Sequence, residues 1–100
     1  MILHIDTKDQ KIIKVSLKDK GKIIRSLTEE NKFGSQALLP LISKLLGREK
    51  MIFKDLRGIE VETGPGSFTG IRVGVSVANA LGFSLDIPVN GKKIETELNY

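Results

Sequence analysis

Residues 64–74 read GPGSFTGIRVG and connect an apolar run, residues 56–63, to a longer segment with helical spacing, residues 71–85. The glycines supply the backbone angles that a tight turn requires. Ser67 or Thr69 is a typical cap for a helix that begins at this point. The stretch therefore predicts a strand, a tight loop and a helix in succession.

The same loop has a second interpretation, in which it binds phosphate. Backbone amides in a loop at the N-terminus of a helix favour anions. However, neither the Walker spacing nor the dinucleotide-binding spacing of glycines is present, which favours the structural interpretation. The residues alone leave both interpretations open.

Three strands are predicted ahead of this unit. An apolar run at residues 2–7 predicts the first strand, and residues 11–18 alternate apolar and polar side chains, which is typical of a second. Residues 19–21 form a turn in which Gly21 is available for a positive φ, and residues 22–28 form the return strand. These three strands form an antiparallel meander.

The first helix is predicted to start at Gly34 and Ser35 and to end near Gly47, with leucines and isoleucines at helical spacing between them. Pro40 lies inside this pattern and predicts a kink or a position in the first turn. Residues 87–89 predict a short fifth strand. The order of elements is βββαβαβ, and the fold class is α/β.

Composition excludes several classes of function. The 100 residues are enough for one domain, and the absence of cysteine excludes a disulfide framework, a thiol nucleophile and a cysteine-ligated metal. The charged residue Asp6 ends the N-terminal apolar run too early for a signal peptide. We also expect no apolar run long enough to span a membrane. The net charge of +4 is scattered along a chain with few aromatics, which favours RNA binding only weakly.

The loop sequence resembles the signature of the TsaB (YeaZ) family, whose members carry GPGSFTG followed by Leu or Ile, then Arg, Val and Gly. Residues 2–7, 38–42 and 87–89 look like other stretches of that family, in the same order, so the resemblance covers almost the whole chain. The signature loop comprises Gly64, Pro65, Gly66, Ser67, Phe68, Thr69 and Gly70.

This resemblance implies an actin-like (ASKHA, ribonuclease-H-like) half-domain. Its mixed five-stranded sheet would have the order 3-2-1-4-5, and residues 1–100 would form a single, shortened TsaB-like domain. The resemblance also implies a cytoplasmic, non-catalytic accessory subunit that binds TsaD and supports threonylcarbamoyl transfer to adenosine of tRNA. No catalytic residue, cofactor or metal is expected.

Partners are likewise implied by the resemblance. TsaD is the expected partner, and TsaE is a further candidate. A homodimer would form when TsaD is absent. Contact with tRNA would be only indirect, and no contact with a membrane is expected.

Given that sheet order, the strands predict one apolar and one polar sheet face. Leu3 and Ile5 point to one side and His4 to the other, together with Glu60 and Glu62 of the fourth strand. Unpaired carboxylates are costly to bury, so the polar face should be open to water and both helices should cover the apolar face. The polar cluster could bind a divalent metal, but cross-strand ion pairs with lysines are the favoured interpretation.

The resemblance also implies where the partner docks, because the family pairs through its first two helices. Small residues recur every four positions in the second helix and permit close approach, although these helices could simply pack within the chain. The expected interface comprises Leu38, Leu41, Leu45, Gly70, Arg72, Val73, Gly74, Val77, Ala78 and Leu81.

Two further functions stay open. One is a self-associating remnant without a partner, and the other is a weak nucleotide- or metal-dependent hydrolase that uses the polar sheet face. A Ser-His-Asp arrangement requires a histidine, and His4 is the single histidine of the chain. This does not favour such an active site.

Overall fold

A computed structural model describes residues 1–30 and 35–99 of the chain. Gly34, which belongs to the predicted helix start, lies outside these residues. The strands are β1 (Ile2–Asp6), β2 (Ile12–Asp19), β3 (Lys22–Glu30) and β4 (Gly58–Val61), and the helices are α1 (Ser35–Arg48) and α2 (Phe68–Leu85). A short 3-10 helix, Phe53–Asp55, precedes β4.

The described residues form one sheet of four strands in the order β3-β2-β1-β4. β1 and β2 pair antiparallel, as do β2 and β3, whereas β4 runs parallel to β1. Ile5 is opposite both Val15 and Val61, which aligns the apolar side chains of three strands. The first four positions of the predicted order agree with this sheet, and the five-strand order is not confirmed.

The predicted fifth strand, residues 87–89, is reduced to one bridge. Val89 forms a single parallel bridge with Ile59 and then turns back to pair with Lys92. Pro88 has no N–H to donate to a ladder, and Asn90 has a φ of 53°, which turns the chain away from β4. These two residues explain why the strand prediction was wrong.

A side chain extends the sheet edge where the strand is missing. The Asn90 amide accepts a hydrogen bond from Val61 N–H (2.9 Å) and donates one to the Val61 carbonyl (3.0 Å). Asn79 of α2 makes the equivalent pair with the backbone of Glu95, at 2.9 and 2.7 Å. Two asparagines therefore attach residues 90–95 to the rest of the domain.

Both helices pack on the same face of the sheet. Leu3 and Ile5 of β1 are fully buried in one apolar cluster, which also includes Leu38 and Leu45 of α1 and Ile71 of α2. The two-layer arrangement predicted from the alternation of the strands is therefore confirmed. It leaves the opposite face, with His4 and its polar neighbours, without a helix among the described residues.

Two helix boundaries differ from the predictions. α1 continues through Gly47 to Arg48, and Pro40 lies within it at an exposed position. α2 begins three residues earlier than Ile71, at Phe68, where the Ser67 hydroxyl accepts a hydrogen bond from Gly70 N–H (3.2 Å). Of the two candidate caps, Ser67 is therefore the one that is used.

Thr7 is the point where α2 meets the end of β1. The buried Thr7 hydroxyl donates a hydrogen bond to the Gly70 carbonyl. A Cβ on Gly70 would lie 2.1 Å from the Thr7 carbonyl oxygen, and a Cβ on Gly74 would lie 2.2 Å from Thr7 Oγ1. Only glycine lets the helix approach the strand so closely, and the small-residue stripe therefore faces the chain's own sheet.

α2 is the one helix among residues 1–30 and 35–99 that could cross a membrane by length and composition. The expectation that the chain has no such run was wrong. The criterion is weak, because the core helix of a folded domain also meets it. Packing against the sheet accounts for the apolar side chains on one side of α2, where Ile71, Val75 and Ala78 are buried.

Glu95 holds the segment that follows α2. Its carboxylate accepts hydrogen bonds from Asn90 Nδ2 (2.8 Å), Glu97 N–H (2.8 Å) and Lys92 Nζ (3.0 Å). Burial acts to raise the pKa of Glu95, but these hydrogen bonds outweigh it and lower the pKa from 4.5 to about 2. The ionised form is thus the one that the fold binds.

Replacing Gly70 should destabilise the domain, because the new methyl group displaces the Thr7 carbonyl. We expect Gly70→Ala to lower the free energy of unfolding by about 1–3 kcal/mol. Gly47→Ala is the matched control, since Gly47 lies in α1 and a Cβ added there would have no other atom within 4 Å. The control should raise stability by up to about 1 kcal/mol in urea unfolding. Equal effects of the two substitutions would contradict the assigned role of Gly70.

Glu95→Gln should destabilise the domain by about 2 kcal/mol at neutral pH, because the charged acceptor is lost. The folded-state pKa of Glu95 is depressed, so its contribution is complete above 4.5 and is lost as pH falls toward about 2. In urea unfolding, wild type should therefore have a higher free energy of unfolding than the variant at pH 7, and the two values should converge near pH 2. Glu97→Gln, at an exposed position, is the control. A difference that is independent of pH would refute this assignment.

Candidate partner-binding face

Six of the ten expected interface residues belong to the interior of the domain. Leu38, Leu41 and Leu45 are at most 3% exposed and pack against the sheet from α1. The remaining three are the small residues of α2, Gly70, Gly74 and Ala78, which are buried on the sheet side. These six residues expose little surface to a partner, and the interface that includes them stays a prediction.

Four of the expected residues lie on the outer side of α2. Arg72 is exposed, and Val73, Val77 and Leu81 are half-buried. The three apolar side chains pack against the edge of the core and present their remaining surface outward. These four residues are the ones of the expected set that present surface to solvent.

A groove between α1 and α2 continues this surface. It has a volume of about 360 Å³ and is lined by Leu39, Ser76, Val77, Ala80, Leu81 and Ser84. The expected interface did not include Leu39, which is 46% exposed. The spacing of Ser76, Ala80 and Ser84, every four residues, was the signal that could have identified the outer stripe of α2.

The chemistry of the groove suits an apolar partner. Its described lining holds no charged side chain, and the small residues Ser76, Ala80 and Ser84 allow a second helix to approach closely. Arg72 is the one charged residue of α2, and its guanidinium lies 5.2 Å from the centroid of the Phe68 ring. An apolar floor with a cation near one end is a suitable docking surface for an amphipathic helix.

The signature loop has a structural role in the described residues. Ser67 N–H donates to the Lys8 carbonyl (2.8 Å), and a Cβ on Gly66 would lie 2.6 Å from Lys8 Cβ. Gly64 has a φ of 116°, and the bond from Gly64 to Pro65 is cis. Close contacts within the chain and a positive φ therefore account for these glycines.

A small cavity of about 150 Å³ lies beside the loop, and Thr7, Gln10, Ser67, Thr69 and Val73 are among its lining residues. The hydroxyl of Thr7 donates to the Gly70 carbonyl, and that of Ser67 caps α2. These two polar groups already serve the fold, and the loop anchors α2 to β1.

The polar sheet face carries a chain of ionic contacts across three strands. Lys18 Nζ lies 2.7 Å from Glu60 Oε1, and the same oxygen lies 3.0 Å from His4 Nδ1. The other ring nitrogen, His4 Nε2, lies 3.1 Å from Glu62 Oε2. The hydrogen bond from Lys18, followed by that from His4, lowers the pKa of Glu60.

Lys8 continues this chain at the end of β1. Its Nζ lies 2.8 Å from Asp6 and 3.3 Å from Glu62, and the hydrogen bond to Asp6 is the main cause that raises the pKa of Lys8. The carboxylates of this face are therefore paired with cations of the same chain. The part of the chain that the structure describes holds no group of three or more His, Cys, Asp or Glu placed to bind a metal.

Comparisons with known proteins point to one system. A family model described as "TsaD: tRNA N6-adenosine threonylcarbamoyltransferase" matches residues 27–91. The tRNA threonylcarbamoyladenosine biosynthesis protein TsaB of Buchnera aphidicola subsp. Schizaphis graminum is 42% identical over 72% of this chain and 35% of its own length. The TsaB protein of Bacillus subtilis is 38% identical over 89% of this chain and 39% of its own length.

A solved structure agrees with these relatives. YeaZ from Pseudomonas aeruginosa superimposes with a TM-score of 0.78 and 32% sequence identity, covering 88% of this chain and 40% of that protein. The described fold therefore corresponds to part of YeaZ. The chain spans between 35% and 40% of the length of these three proteins.

Proposed function

Because the chain belongs to the TsaB (YeaZ) family, we propose that it is an accessory subunit that binds TsaD and supports threonylcarbamoyl transfer to adenosine of tRNA. The observation that carries the proposal is the apolar groove between α1 and α2. Its partner would be the corresponding pair of helices in TsaD.

Similarity to both proteins supports this pairing. The sequence matches TsaB proteins and also the TsaD family model, so the chain and TsaD have related sequences. Two related surfaces can associate around an approximate two-fold axis, with each helix pair contacting its counterpart. The same geometry would allow two copies of this chain to pair when TsaD is absent. The homodimer and an association with TsaE are predictions of this proposal.

We assign the chain no catalytic step. Both ring nitrogens of His4 contact carboxylates, and Glu60 and Glu62 contact His4 and lysines. A general base or a metal ligand would have to break these contacts first, which does not favour a hydrolase. A location in the cytoplasm follows from the proposed work on tRNA and is part of the same proposal.

A charge placed in the groove should abolish association without disturbing the core. We expect Leu39→Glu and Ala80→Glu, both at exposed positions, to weaken binding to TsaD by about tenfold or more, because the carboxylate would be buried in an apolar contact. Size-exclusion chromatography with light scattering, on the chain alone and mixed with TsaD, measures this. Val73→Asp and Val77→Asp should act in the same direction but also perturb the edge of the core.

Phe83→Glu is the matched control for these variants. Phe83 is on α2 and 81% exposed, but it does not line the groove, so its replacement should leave the complex intact. Circular dichroism would establish that each variant is folded. If TsaD binds the groove variants as tightly as wild type, or does not bind the wild-type chain, the proposed function is wrong.

A further inference from the structure

Five elements of the fold begin or end at one end of the sheet, which we call the basal end. β1, β3 and β4 start there, β2 and α1 end there, and the pairing register fixes this arrangement. Ile2 is opposite both Lys18 and Gly58, and Asp19 is opposite Lys22. The Arg57 N–H donates to the Met1 carbonyl (2.9 Å), which brings the segment before β4 to the same end.

α1 joins the basal end through an ion pair. Arg25 Nε of β3 lies 3.1 Å from Glu49 Oε1, directly after the last turn of α1. The residues that follow α1 are held by backbone hydrogen bonds from Lys50 to Gly47 (3.1 Å) and from Met51 to Leu46 (2.9 Å). The 3-10 helix then connects this segment to β4.

Exposed basic side chains from the connection between β2 and β3, the end of α1, the 3-10 helix and the residue before β4 converge at the basal end. None of them forms an ion pair with a described carboxylate. The acidic residues at this end are Asp19, Glu49, Asp55 and Asp86, of which Glu49 is paired with Arg25. By contrast, Lys8, Lys18 and Lys92 each lie within 3.0 Å of a carboxylate oxygen. The basic residues of the basal end are Lys20, Lys22, Arg48, Lys50, Lys54 and Arg57.

Two of these lysines occupy backbone conformations that lysine disfavours. Lys20 has a φ of 54° and Lys50 a φ of 55°. At such positions Gly or Asn is favoured, because the Cβ of other residues comes close to the following carbonyl oxygen. The turns would be more stable with asparagine, so the lysines add positive charge at a cost in stability. Departures of this kind are concentrated at functional sites.

We propose that the basal end binds the phosphate backbone of RNA directly, through the basic side chains of these strand and helix ends. The choice of tRNA as the RNA rests on the proposed function. Anchoring on five elements fixes the spacing of the charges, which suits a rigid array of phosphates. This inference departs from the expectation that tRNA is contacted only indirectly.

An anionic membrane is the competing partner, since Ile23 and Ile52 are exposed at the same end. Membrane surfaces are usually bound by an amphipathic helix with aromatic anchors at the interface. The charges of the basal end come instead from strand ends and turns, and Phe53, which directly precedes Lys54, is half-buried against the core. These observations favour RNA.

The test compares two triple variants of equal charge. The basal variant carries Lys20→Asn, Lys50→Asn and Lys54→Gln, in which asparagine suits the two positive-φ positions. The control variant carries Lys8→Gln, Lys11→Gln and Lys14→Gln at the opposite end of the sheet. Binding is measured by fluorescence anisotropy of a labelled, unmodified tRNA transcript over a series of potassium chloride concentrations.

The basal variant should bind about tenfold more weakly than wild type, and its log–log salt slope should fall by about 2 to 3. The control variant should stay within about threefold of wild type, because its charges are not part of the array. Equal losses in both variants would assign the effect to net charge and overturn the proposal. An unchanged basal variant, or no tRNA binding by wild type, would also overturn it.

Two further measurements separate the possible outcomes. Sedimentation with phosphatidylcholine–phosphatidylserine vesicles tests whether the basal end binds an anionic membrane, and binding to vesicles without binding to tRNA would overturn the proposal.

The groove variant Ala80→Glu should keep its tRNA affinity, whereas the basal variant should keep its association with TsaD. Loss of TsaD binding with retained tRNA binding therefore refutes only the proposed function.

Discussion

The contact between Thr7 and α2 determines the arrangement of the rest of the domain. Thr7 is at the end of β1, and its hydroxyl and carbonyl groups occupy the space that side chains at positions 70 and 74 would otherwise need. This contact places α2 on the sheet at the distance where Ile71 and Val75 can join the core. It also orients the helix, since the glycine side must face inward.

That orientation decides which surface is available for a partner. With the small residues Gly70, Gly74 and Ala78 against the sheet, the outer side of α2 consists of half-buried apolar residues and a second, more exposed stripe of serine and alanine. α1 closes one side of this stripe with Leu39. The groove thus results from the same packing that builds the core, and it requires no additional element.

Charge is distributed in two different ways over the domain. On the polar sheet face, lysines and carboxylates alternate across neighbouring strands, and every carboxylate named there has a cation within 3.3 Å. At the basal end six exposed basic residues form no ion pair with a described carboxylate. The topology of the sheet therefore brings together basic residues that are distant in the chain.

The sequence by itself determined the order of the elements, the two sheet faces and the family, because period-two alternation and the GPGSFTG string are local properties. It could not distinguish a glycine that faces a partner from one that faces Thr7, since both give the same spacing. It also predicted a fifth strand at residues 87–89, where Pro88 and Asn90 prevent a ladder. The groove and the basal end join residues that are distant in the chain, and only the tertiary structure, through strand pairing and helix packing, brings them together.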